Sequence, residues 1–429
     1  MSGPAPAAAA ALPPPVRPSA ADEAWLRMDR PESRMIITAV MRTTRPLGAE
    51  RLAGVIESRL LTHDRFRSPL LPRALRALPR EGFDLGQHLH RVELPQEGGE
   101  DALQAWIASQ MSKPLPLERP LWEVSLVEHW GEGSVLVWRL HHALADGIAL
   151  MRVLLGAADE PPPPTELTLP LRNTRPFHGL RLAVGGPLSL LKLLLLPRDA
   201  ALAHKAPLSG TKRVAWSEPL SLERIKHIAQ REGATVNDVL VSAVSGALHT
   251  WLTRHVPQRV PHSLRALVPF DLRVLGRDPP LGNRFGLVYL TLPVGALSSA
   301  RERLREVKRR MGRIKRTPEA VVAYRIVELI GRLAPVLASL GIRLFARKAS
   351  LVLTNVAGPR RPLSLGGAPL QDIFFWVPQA GSLGIGLSLF SYAGTVRVGI
   401  AADVVRMKEP EELVALVSHE LEVLEQGLP

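Results

Sequence analysis

The chain has 429 residues, a net charge of +14 and a sequence pI of about 10.8. Its hydrophobic content of 46% and charged content of 22% fit a globular protein, with length for two or three domains. Cysteine is absent, which excludes disulfides, thiolate metal sites and cysteine nucleophiles; with 5% aromatic residues and no nucleic-acid module, the basic surface suits phosphate groups, acidic lipid headgroups or plain solvent, not nucleic acid.

Residues 1–20 are rich in Ala and Pro, as expected of a disordered tail, and lack the basic start and apolar core of a signal peptide. Order begins at Asp22, and Trp25-Leu26-Arg27-Met28-Asp29 precedes a strand over Met35 to Met41. Leu52, Val55, Ile56 and Leu60 stand at helical spacing, and a second helix is expected around Leu103 to Met111. Arg119-Pro-Leu-Trp-Glu123 leads into a strand, with Trp122 as a core anchor.

The most informative stretch is Ser134 to Gly147, a buried strand ending in two histidines, then a turn and Asp146-Gly147. Side chains alternate along a strand, so His142 shares a face with Leu136, Trp138 and Leu140, and His141 shares the other with Val135, Val137 and Arg139. An imidazole closing an apolar face is partly desolvated and stays neutral near pH 7, the state a general base needs. Two core histidines before a turn capped by Asp146 is the plainer alternative. A metal site on His141, His142 and Asp146 is disfavoured because neighbouring strand side chains point apart.

Pro161 to Pro164 marks a boundary. Leu180 to Leu196 is strongly apolar but too short and interrupted to span a bilayer, so it reads as an interfacial helix, a lid, or a buried connection. Ser221 to Glu232 is helical, with Gly233 at its C-terminal cap. Thr235-Val-Asn237-Asp238 opens a long helix with an apolar stripe from Val236 to Leu252; Thr235 and Asp238 form a near capping box. Asn283, after Leu281-Gly282, could donate its amide to a developing oxyanion or could simply take a left-handed turn. Arg301 to Arg316 and Arg332 to Lys348 are basic amphipathic stretches, either solvated faces or contacts for anions and anionic membranes. Leu351 to Pro359 is a strand broken at Gly-Pro, a hairpin turns at Ala393-Gly394, and Pro410 starts the last helix.

His141-His142-Ala-Leu-Ala-Asp146-Gly147 resembles the active-site motif of the bacterial wax ester synthase/diacylglycerol acyltransferase family. That family lies within a wider group of CoA-dependent acyltransferases that includes chloramphenicol acetyltransferase and peptide-synthetase condensation domains. Pro120-Leu-Trp122, Asn237-Asp238, Gly282-Asn283, Leu292-Pro293 and the Thr354-Asn-Val-Ala-Gly-Pro359 element match the same family in order. Met35-Ile-Ile-Thr38 departs from its Met-His-Val-Gly-like stretch, Thr354 replaces a Ser, and Ala357 replaces a Pro.

The resemblance implies an α/β (α+β) fold of two chloramphenicol acetyltransferase-like domains, a pseudo-dimer with a tunnel at the interface. The boundaries would be a tail at 1–20, an N-terminal domain at 21–160, a linker with an apolar helix at 161–211 and a C-terminal domain at 212–429. It implies transfer of a long-chain acyl group from acyl-CoA to a fatty alcohol or diacylglycerol, with no bound cofactor or metal. His142 would be the general base and Asn283 the candidate oxyanion donor, supported by His141, Asp146 (paired with an unidentified Arg), Gly147, Asn237 and Asp238. The place implied is cytoplasmic, peripheral on the inner face of the membrane or on lipid inclusions. The alternatives are a carrier-protein thioester or non-lipid acceptor at the same histidine, and an idle lipid-binding protein.

Overall fold

The computed structural model describes residues 18–427 apart from 72–73, 76–82, 164–165, 167–178, 200–205, 274–280, 296 and 298. Most of the expected Ala/Pro tail and much of the expected 161–211 linker therefore lie outside the described residues.

Two sheets organise the described residues. The first runs, from edge to edge, Ser364–Leu365, Ala368–Trp376, Ile36–Thr43, Gly133–His141, Trp122–Trp130 and Leu89–Arg91. The second runs Phe285–Leu292, Leu264–Asp271, Leu351–Ala357, Ile385–Tyr392, Thr395–Asp403 and Lys212–Trp216, with Leu220–Ser221 also beside Thr395–Asp403. In the first sheet only Leu89–Arg91 and Trp122–Trp130 pair in parallel; in the second, Leu351–Ala357 is parallel to both neighbours.

The two strands at 364–376 follow the second half in sequence but complete the first sheet. Thr38 faces Trp376 and Met41 faces Ile373 in an antiparallel ladder. A cut at residues 161–211 thus leaves two strands of the first sheet on the far side of the cut.

Gly133–His141 is buried along its whole length, as its β-branched, leucine and tryptophan content requires of a central strand. Its Leu136, Trp138 and Leu140 enter the main core, while Val135 and Val137 enter a separate cluster on the other face. That is the alternation expected from the sequence. Arg139 survives burial because Glu123, on the adjacent strand, pairs with it.

One face of the second sheet is packed by the helices Val236–His255, Ala300–Ile314 and Pro410–Gln426 around a large aliphatic core. The stripe read from Val236 onward is buried there, and Thr235 and Asp238 form a full capping box. Asn237, on the first turn, accepts a hydrogen bond from the amide of Asn355 at 3.0 Å. The hairpin turns through Ala393 and Gly394, both at positive φ (45° and 87°). The sheet's other face looks toward the first half of the chain, and the helices Ala20–Met28, Glu319–Arg332 and Pro335–Ala346 close over it.

Candidate active site

His142 lies one residue past its strand, held by its backbone N–H on the carbonyl of Met35 at 2.8 Å. The residue is 6% exposed. Trp25, from the first helix, stacks on the imidazole at 4.0 Å between centroids and 20° between planes. Phe285 tilts against it at 5.4 Å. Burial is the largest influence on the ring and pushes its pKa below the ordinary imidazole value, against the opposing pull of Asp146 and other neighbours.

The hydrogen bonds of Asn283 settle which nitrogen of His142 is bare. The Asn283 amide nitrogen donates to Asp22 Oδ1 at 2.8 Å and to the His142 carbonyl at 2.9 Å. Both partners are acceptors, so the NH2 group must face them. The amide oxygen then faces His142 Nδ1 at 2.9 Å, and Nδ1 must carry the proton and donate. Nε2 is left with a lone pair and has no protein partner among the described residues.

This corrects the expectation for Asn283. Both of its amide hydrogens are engaged behind the imidazole, so it offers no donor to an oxyanion. It does not take a left-handed turn either: among described non-glycine residues only Ala393 has positive φ.

Asp146 caps the Gly147–Gly156 helix, accepting from Ala149 N–H at 3.0 Å. Its other oxygen pairs with the Arg273 guanidinium and accepts the Arg284 N–H at 2.9 Å. Arg273 also pairs with Asp271 at 3.1 Å. Strand end, turn and helix start on one side are thereby tied to the 271–284 segment of the second sheet on the other. Gly147 starts that helix, and a Cβ there would meet only Ile37 at 3.8 Å.

His141 is 2% exposed, and its Nδ1 accepts the N–H of Ala143 at 3.0 Å. Burial drives its pKa down to about 3, so it is a neutral packing residue. Asn237 and Asp238 do not join the His142 cluster; their side chains serve Asn355 and the helix cap. The residues that sequence reading passes over are Asp22, Trp25, Arg65 and Arg273. Arg65 donates to Asp22 Oδ2 at 3.0 Å and to the Leu144 carbonyl at 2.7 Å.

His142 forms part of the wall of a partly open chamber of about 120 Å³. The lining is otherwise almost wholly apolar, including Trp25, Met28, Leu287, Ile330 and Phe345. Residues from both halves of the chain contribute. The Tyr289 hydroxyl is engaged, donating to the Phe345 carbonyl at 2.9 Å. The Thr354 hydroxyl, also in the lining, has no side-chain hydrogen bond among the described residues. A bare imidazole nitrogen on the wall of a hydrocarbon-lined space can take a proton from a hydroxyl brought beside it.

The profile of the wax ester synthase/diacylglycerol acyltransferase catalytic domain matches residues 19–199, and that of the family's C-terminal domain matches residues 281–425. A probable diacylglycerol O-acyltransferase of Mycobacterium tuberculosis is 30% identical, over 75% of this chain and 75% of its own length. Among solved structures, a wax ester synthase/diacylglycerol acyltransferase from Marinobacter aquaeolei VT8 superposes with a TM-score of 0.70 at 24% identity, covering 96% of this chain and 99% of that one. The first condensation domain of the calcium-dependent antibiotic synthetase superposes at 0.63 with 16% identity, covering 96% of each chain, a likeness of fold alone.

Proposed function

The chain belongs to the wax ester synthase/diacylglycerol acyltransferase family and is an acyltransferase; from that premise we propose that it moves a long-chain acyl group from acyl-CoA to the hydroxyl of a fatty alcohol or diacylglycerol, with His142 as general base. The observation that carries this reading is the tautomer forced by Asn283, which leaves Nε2 bare on the wall of an apolar chamber.

His142 Nε2 takes the acceptor's hydroxyl proton as that oxygen attacks the thioester carbonyl. The carbonyl becomes a tetrahedral oxyanion, which then collapses and expels the CoA sulfur. The imidazolium returns its proton to that thiolate, so the base is regenerated without a covalent enzyme intermediate. Because Asn283 is committed elsewhere, we assign support of the oxyanion to the Thr354 hydroxyl, a donor facing the chamber. The chamber is the part of the inferred tunnel that accommodates hydrocarbon, and its apolar lining disfavours water as a competing acceptor.

We also infer a peripheral lipid contact. Leu188, Leu191, Leu194 and Leu195 on the Gly179–Leu195 helix, and Val336, Leu337, Leu340 and Leu344 on Pro335–Ala346, are each half or more exposed. Both helices pack on Glu319–Arg332, and Ile342, Phe345 and Ala346 line the chamber from the other side of theirs. Exposed Arg198, Arg332, Arg343 and Arg347 border these leucines, a combination suited to an anionic lipid surface. Among the described residues no helix is long and apolar enough to cross a membrane.

Purified protein given palmitoyl-CoA with hexadecanol or diacylglycerol should release free CoA and form ester, and His142→Ala should abolish both. No turnover with any alcohol, but CoA release with an amine as acceptor, or acyl transfer only from an acyl carrier protein thioester with release of the free carrier protein, would move the assignment to condensation chemistry. Full activity in His142→Ala would end the mechanism.

A further inference from the structure

The side chain of Asp22 is fully buried, at 0% exposure, though it stands only three residues into the described chain's first helix cap. Part of its role is local. With Ser19 it forms a capping box, accepting the Ser19 N–H on Oδ2 at 3.0 Å. Capping needs one oxygen and no burial. Its other oxygen, Oδ1, accepts from Asn283 at 2.8 Å, and Oδ2 is also shared with Arg65 at 3.0 Å. Residues 22, 65, 142 and 283, far apart in sequence, thus converge behind one imidazole.

We propose that Asp22 is a positioning residue for acyl transfer, acting through Asn283 to keep the bare nitrogen of His142 turned toward the chamber. The inference rests on His142 as the base. An amide group is nearly symmetric in shape, so something must choose between its two orientations. In the observed one, NH2 meets the Asp22 carboxylate and the His142 carbonyl. Flipped, the amide oxygen would meet both acceptors, and NH2 would face His142 Nδ1. Nδ1 would then have to accept, and the proton would move to Nε2, where it blocks base catalysis. Asp22 penalises the flip with a full negative charge. The same charge favours the imidazolium that forms during the reaction.

The charged groups around the ring are Asp22 with Arg65, and Asp146 with Arg273; His141 is the titratable neighbour along the chain. Asp22→Asn keeps the shape but can present NH2 to Asn283, which tolerates the flipped amide. It also removes a carboxylate that raises the His142 pKa. The expected result is a fall in kcat of about tenfold or more, with KM for palmitoyl-CoA little changed. The acid limb of kcat/KM should move to lower pH.

Ser19→Ala is the control, because it removes the hydroxyl that accepts the Asp22 N–H in the same cap and leaves Asn283 untouched. It should lower the thermal midpoint while leaving kcat and the acid limb in place. Nitrogen-15 spectra of histidine-labelled protein, with His142 assigned by its loss in His142→Ala, give a readout independent of turnover. They should show Nδ1–H in the parent and an Nε2–H fraction in Asp22→Asn. Unchanged kcat, limb and tautomer in Asp22→Asn would overturn the proposal, as would Ser19→Ala reproducing all three changes. An intact tautomer shift in a protein that transfers no acyl group would instead overturn the catalytic reading of His142 and leave the positioning role standing.

Discussion

Replacing Arg273 by Met should destabilise the protein by about 3 kcal/mol. The guanidinium lies between Asp146 and Asp271, and the three side chains are 6%, 4% and 7% exposed. Methionine preserves much of the apolar stem but removes the cation, leaving two buried carboxylates facing a thioether. Breaking a buried pair by deleting one partner costs about 3–5 kcal/mol. The lower end applies here because neither carboxylate is stripped of donors: Asp146 keeps the N–H groups of Ala149 and Arg284, and Asp271 keeps that of residue 273. Taking roughly 2.1 cal/mol/K of unfolding entropy per residue, the chain has about 0.9 kcal/mol/K, so the thermal midpoint should fall by about 3 °C. Scanning calorimetry measures it directly. Adding Asp146→Asn should recover at least about 1 kcal/mol of the loss, since the stranded charge is gone. A midpoint within 1 °C of the parent, or strictly additive losses in the pair, would refute the claim that this ion pair locks the histidine loop to the second sheet.

Thr354→Val keeps the shape of the side chain and deletes the hydroxyl; kcat should fall about tenfold or more with folding intact, and an unchanged kcat would remove Thr354 from the oxyanion role. The pKa of His142 is lowered by burial, so kcat/KM should rise with pH through a value below 6.5 and stay flat across neutrality; a midpoint above 7 would contradict the burial argument. His141, at about 3 when folded, binds its proton more readily once unfolded, so the stability it contributes is present above about 6.5 and is lost as pH falls toward 3; urea midpoints across that range in the parent and in His141→Gln should diverge accordingly. Leu337→Ser with Leu340→Ser should weaken flotation with phosphatidylglycerol vesicles and spare turnover of detergent-dispersed substrates; undiminished flotation would remove that helix from the lipid contact.

Local chemistry makes several of these parts readable from the chain. Asp146 sits directly before an apolar run and caps it, Thr235 and Asp238 box the start of the helix Val236–His255, and the alternation from Val135 to Leu140 sorts two cores correctly. The strand Ala368–Trp376 cannot be assigned to the first sheet in this way, because a strand carries a record of its faces and none of its neighbours. The expectation for Asn283 fails for a related reason. Its residue type fits an oxyanion donor, but its hydrogens are claimed by Asp22 and by the His142 backbone, and only the assembled geometry brings those acceptors to it. Arg273 cannot be picked from 54 Lys and Arg residues without the pairing that places residues 271–284 beside the histidine loop.

The late strand that finishes the first sheet also sets a timetable. A ribosome releases Ile36–Thr43 more than three hundred residues before its ladder partner Ala368–Trp376. Until that partner is synthesised, one border of the nascent sheet has open backbone donors and acceptors. Nascent chains stalled before residue 368 should therefore engage holdase chaperones or clump through this border, whereas chains released after residue 376 should be able to close it.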